Sequence, residues 1–312
     1  MDIRNVQKTG NMHYVYLPTI WCRKYNIKSG SKVTVINNND GSIRLSPHLT
    51  EKKLNHLNID LAEDDQSIIN KMMVAAYINP TSSFKINLTK HVDIQKLLDQ
   101  KKLISLEMVE FDGKHISCES TIAVENPISL LKTMVRKAKN MVSVMKKTDD
   151  IQLLEIYEDE IDRSKFLIEK SVISRLTFNE TTNIKTVYLH YTALISKDLE
   201  KAVDQIPNVG KNDKVFLQSF EDSLSVLLQI LEKILSGNTA ELKHTDAITF
   251  AKKVDTMKSG ATSNIQSYAK LQAKQLLTNI SEILFDWSVS YMAEEKQENF
   301  DAAKTAEATE KK

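Results

Sequence analysis

The chain has 312 residues, 41% of them hydrophobic and 27% charged, with only seven glycines and five prolines, which is enough apolar material for two or three domains with real cores and excludes a disordered or collagen-like chain. Its formal charge of +1 makes no general demand for a polyanionic partner, but the charge is unevenly spread: residues 1–50 hold seven Lys/Arg against two acids, whereas 51–125 hold nine Lys against twelve acids. No uncharged apolar run approaches the roughly 18 residues of a membrane span, and no secretory h-region opens the sequence, so a cytoplasmic protein without membrane insertion is expected.

Period-two alternation marks the first fifty residues as strands. "HYVYL" and "KVTVIN" alternate, and Asp40-Gly41 stands between two β-prone runs as a hairpin signal. A short helix is expected after Pro18, because proline fits a first helical turn. So few residues in such short strands bury little alone, and a homodimer sharing one small barrel would remove the exposed edges. Cys22 and Cys118 have no CxxC partner and no histidine at zinc-ligand spacing, so free thiols are expected.

Residues 52–125 read as a second unit. "LNHLNIDL" and "SFKINL" predict strands, "DDQSIINKMMVAAYI" and "HVDIQKLLDQ" helices, and "LISLEMVEFDGKHISCES" a hairpin turning at Asp112-Gly113. The order βαβαββ suggests a ferredoxin-like α+β sandwich, and no phosphate-cradling glycine loop or catalytic cluster is visible in it.

From Pro127 the period becomes helical, with segments at 127–147, 151–176, 184–206, 212–236, 239–258 and 262–293. Short connections between long amphipathic segments predict an antiparallel six-helix bundle of two three-helix repeats over 127–293. Residues 294–312 have almost no large apolar side chains and read as a disordered, solvated tail. The predicted fold class is therefore multidomain α+β, with a small β head, an α+β middle and a helical bundle.

Within the bundle, Glu158/Asp162, Glu200/Asp204 and Glu282/Asp286 are acidic pairs four residues apart. Like charges at this spacing share a helix face and cost a few tenths of a kcal/mol per pair. Each pair borders apolar residues, at the rim of a helix contact. Two such pairs on facing helices would form a carboxylate nest for a cation, whereas the plainer alternative is chance pairing neutralised by Lys165, Lys197 and Lys201. Oxygen donors suit Mg, Mn, Ca or Fe, and Zn also accepts carboxylates. An echo of the pattern around Asp255 lacks its leading acid, because Ala251 stands there. No Ser/His/Asp or Cys/His arrangement is visible and the histidines are scattered, so an enzyme is not expected.

Two family resemblances can be stated on these residues. The run "RNVQKTG…YVYLPTIWCRKYNIKSGSKVTVI…DGSIRLSP" resembles an AbrB/SpoVT-type swapped-hairpin domain, and "IYEDEIDRSKFLI" with "ISKDLEKAVDQI" resembles the two acidic helix motifs of PhoU, the phosphate-uptake regulator. In this order the pieces look like the archaeal-type PhoU regulators. The resemblance implies a homodimer formed through residues 1–50 and DNA binding through Arg4, Lys8, Arg23 and Lys24, with Asn11 adding readout. It also implies a divalent or trivalent metal ion at Glu158, Asp162, Glu200 and Asp204, more weakly at Asp255, Glu282 and Asp286, in a transcriptional or signalling regulator of phosphate uptake. Where that family carries Arg and His beside its second acidic motif, this chain has Lys201 and Gln205. The alternative is a non-DNA adaptor that dimerises through the head and docks its bundle on a phosphate transporter or kinase.

Overall fold

A computed structural model describes residues 3–37, 42–47, 56–79, 83–92, 109–119, 124, 126–148, 150–178, 184–237, 241–259 and 264–310, the last of these as backbone alone beyond 296. The expected turn at Asp40-Gly41 and the helix over "HVDIQKLLDQ" lie outside them, the latter beyond Val92. The chain divides into two compact units, Met1–Lys53 and Leu54–Lys312.

In the first unit β1 (Gln7–Thr9) pairs antiparallel with β2 (Met12–Tyr14). Gly10 turns this hairpin at φ +62°, a conformation that side chains with a Cβ rarely adopt. A short α1 (Thr19–Lys24) follows Pro18, and β3 (Thr34–Asn37) pairs antiparallel with β4 (Ile43–Ser46). The strands thus form two separate two-stranded sheets, and the expected barrel is not closed among the described residues. A single chain supplies two hairpins with open edges. No described residue of this unit is buried.

The second unit begins with β5 (His56–Leu61), α2 (Gln66–Ile78), β6 (Ser83–Leu88), β7 (Val109–Phe111) and β8 (His115–Glu119), in the sheet order β5-β6-β8-β7. Asp65 caps α2 by accepting from the Ser67 amide. Here the ferredoxin-like expectation needs correction. That fold splits its βαβ unit by a strand laid between the parallel pair, whereas β5 and β6 are direct parallel neighbours. Their register is fastened by side chains, since Asn87 donates to Asn58 (3.3 Å) and Asp60 (2.7 Å). Alternate residues Phe84, Ile86, Leu88, Ile116 and Cys118 turn inward against α2.

The remaining helices are α3 (Pro127–Met145), α4 (Ile151–Phe178), α5 (Thr186–Asp204), α6 (Ile206–Val209), α7 (Lys214–Ser236), α8 (His244–Asp255) and α9 (Ile265–Glu310). Asn126 and Asp213 cap α3 and α7, and Pro127 sits at the first position of α3. Their apolar stripes meet in one core, where α3 packs on α4, α5 and α7, and α9 packs on α5, α6 and α8. The sequence reading separates 52–125 from this bundle, yet both fall in one compact unit, because Phe166 of α4 belongs to the core beneath the sheet. A second correction concerns the tail: α9 continues as helix to Glu310 through a stretch rich in Ala, Glu, Lys and Gln, all strong helix formers. Among the described residues neither Cys22 nor Cys118 forms a disulfide; Cys118 is buried and Cys22 half-buried. Among the described residues, no helix is long and apolar enough to cross a membrane.

Candidate metal centre

Helices α4 and α5 are joined by a short connection and pack side by side, so they run antiparallel. Asp162 in α4 therefore comes level with Glu200 near the end of α5. Buried serines keep the helices slim there, and each satisfies its hydroxyl within its own helix: Ser164 donates to Glu160 O (2.8 Å) and Ser196 to Ala193 O (2.8 Å).

Carboxylate oxygens of Asp162, Glu200 and Asp204 all lie within 4.8 Å of one another. Asp162 is 2% exposed and Glu200 9%, whereas Asp204 lies at the exposed rim. Three acids converging this way oppose each other electrostatically, and Glu200 and Asp204 also occupy the last turn of α5, where the helix dipole is negative. The strain appears at Glu200. Burial pushes its carboxyl up to about 7, a hydrogen bond with Asp162 and the charges of Asp204 and Asp162 push the same way, and Lys165 opposes them. The Lys165 ammonium lies 3.8 Å from Glu200 Oε1.

The donor set fits a hard cation. Oxygens bound to one ion at about 2.0–2.6 Å stand no more than about 5 Å apart, and the three here meet that limit. Glu158, one turn before Asp162, is not part of this group; with Glu155, Leu154, Ile151 and Lys211 it lines a cavity of about 530 Å³ at the end of the bundle. The weaker residues Asp255, Glu282 and Asp286 are exposed and join no such group among the described residues. At that end of α8, Lys274 donates instead to the backbone oxygens of Asp255 (3.3 Å) and Met257 (2.8 Å).

In the head, Arg4, Lys8, Asn11, Arg23 and Lys24 are all exposed. Lys8 and Asn11 flank the β1–β2 turn, while Arg23 and Lys24 end α1. Arg4 donates to Tyr16 O (3.1 Å) and Leu17 O (3.5 Å), so its guanidinium pins the chain leaving β2.

Two features escaped the sequence reading. One is the ion network in which Lys146 binds Glu221 and Gln218 while Lys253 binds Asp222 (2.8 Å), whose members are far apart in sequence and leave no local spacing signal. The other is the open face of the sheet, where His56, Asn58, Ser83, Lys85, Ser117 and Glu119 line a groove of about 550 Å³. Strand alternation could have flagged those residues once the register was known. No protein-family model, curated protein or solved structure was found to match the chain.

Proposed function

We propose that the chain is a dimeric, DNA-binding regulator of phosphate homeostasis of the PhoU kind, whose helical unit holds a divalent or trivalent cation. The observation that carries this reading is the convergence of Asp162, Glu200 and Asp204 across two helices. Bringing three carboxylates together is unfavourable in itself, and a bound cation reverses the sign of that interaction. Asp162 and Glu200 are the buried ligands and Asp204 closes the site from its rim. The ion supplies positive charge that fixes α4 against α5. Mg, Mn, Zn and Fe all fit the oxygen donors.

Self-association through residues 1–50 is supported by the head's lack of any buried described residue, together with exposed Ile3, Val6, Met12, Ile20, Val35 and Ile43. A dimer would gather two sets of Lys8, Arg23 and Lys24 on one small body, and phosphate contacts dominate the affinity of such surfaces for DNA. The adaptor reading, with docking on a phosphate transporter or kinase, draws on Arg4, whose guanidinium is spent on backbone carbonyls.

Fluorescence anisotropy with duplex DNA at low and moderate salt separates the two. A regulator binds with affinity that falls steeply as salt rises, and Arg23→Ala/Lys24→Ala weakens it further; no binding at low salt leaves the adaptor. Elemental analysis of the purified full chain tests the cation. After equilibration with Mn²⁺ in excess, metal should accompany the wild type and be lost from Glu200→Ala/Asp204→Ala, and equal content in both would remove the centre.

A further inference from the structure

Lys165 follows Asp162 by three residues on α4, so the two side chains lie on one side of the helix. Its ammonium sits 3.8 Å from Glu200 Oε1 and 4.8 Å from the Phe166 ring centroid, and its side chain is only 16% exposed. It thus pairs with one of the three converging carboxylates. A cation seated among oxygens that lie within 4.8 Å of one another would stand a few ångströms from this second positive charge. Two like charges so close in a partly buried setting repel strongly. The lysine has a flexible four-carbon stem that can carry the ammonium out to water, a freedom that a metal ion held by three ligands lacks.

From this geometry we infer that Lys165 is a built-in competitor for the cation: it holds Glu200 in the metal-free chain and leaves it when an ion binds. The inference rests on the cation reading of Asp162, Glu200 and Asp204. Lys165 therefore sets the affinity of the centre, lowering it so that occupancy follows the ion concentration. It also ties occupancy to the neighbouring helix face, because the ammonium that departs is the one lying over Phe166, a residue of the core beneath the sheet.

The test is calorimetric titration of the full chain with Mn²⁺. Lys165→Met, which keeps the stem over Phe166 and deletes the charge, should bind at least about tenfold more tightly than wild type, and Lys165→Arg should restore weak binding. Equal affinities for wild type and Lys165→Met would overturn the inference while leaving the cation reading intact; no binding by either protein would remove both. A second measurement needs no variant. Acylation of the Lys165 amine in the wild type, followed by peptide mass spectrometry, should rise several-fold when Mn²⁺ is added, and an unchanged rate would equally overturn the inference.

Discussion

Glu200 concentrates the electrostatics of the centre in one side chain. Its carboxyl is pushed from an ordinary 4.5 to about 7, chiefly by burial and then by Asp162, so the folded chain holds a proton that the unfolded chain releases. Stability from this group is present below pH of about 4.5 and is lost as pH rises through about 7. The lowered carboxylates Asp213, Glu221 and Asp222 act in the opposite sense, below their ordinary range, whereas Asp198, raised by burial, acts in the same sense as Glu200. With chelator present, the melting temperature should rise as pH is lowered from about 8 to about 5.5, and Glu200→Gln should flatten that slope. Over that range the span is at most about 2 kcal/mol, since each pH unit below about 7 is worth about 1.4 kcal/mol. Differential scanning fluorimetry across pH checks it, and a wild-type slope shared by Glu200→Gln would show that Glu200 is not its source. The acid spacing made Glu200 and Asp204 visible in the sequence, and it also marked Glu282 and Asp286. What it could not show is which pairs find a partner across a helix contact, because that depends on how the helices are rotated. Asp162 faces the α5 pair, whereas α8 offers Ala251 where an acid would be needed.

At the scale of elements, α4 has two apolar sides. Ile161, Ile168 and Val172 enter the helical core, while Phe166 and Leu167 pack under the sheet. The Lys170 ammonium lies 4.0 Å from the Tyr77 ring of α2, and Ser171 (3.0 Å) and Arg175 (3.2 Å) both donate to Val124 O in the connection to α3. This double use explains why the reading in chain order separated two domains. Periodicity identified α4 as a helix with nearly its observed limits, but a helix serving two cores shows no single stripe, and its second partner lies outside any local window. Sheet order was hidden for a related reason, since hairpin signals fix neighbours that are close in sequence and the β6–β8 pairing is not. Phe166, 7% exposed, is the joint. Phe166→Ala should cost about 3–5 kcal/mol, as for other buried phenylalanines. Hydrogen exchange should quicken in α2 and β6 more than in α7 and α8; uniform loss of protection would mean that the sheet has no separate dependence on this contact.

For the whole molecule the decisive contrast lies between the two units. Leu54–Lys312 has two contiguous cores with many fully buried side chains, whereas Met1–Lys53 has none among its described residues. Fixing each residue of a folded segment costs about 1–2 kcal/mol of backbone entropy, and two small hairpins with solvated faces recover little of it. The excess of basic charge ends near residue 50, close to Lys53, where the first compact unit ends. The missing core was foreshadowed too, by strands too short to bury anything alone. The self-association proposed above would bury the head's apolar surface, because a second copy offers an identical set of open edges and exposed side chains. Ile20, 83% exposed on α1, and Val35, 58% exposed on β3, are suited to test this because each leaves most of its apolar surface open. Sedimentation velocity of the full chain should give a dimer, and Ile20→Asp/Val35→Asp should shift it towards monomer by about a hundredfold in dissociation constant, the effect of about 2.7 kcal/mol. In the same variant the helical unit should keep its melting temperature, since its cores lie wholly within Leu54–Lys312. A dimer of unchanged strength would place the self-association surface outside these two positions, and a monomeric wild type would overturn the proposed self-association.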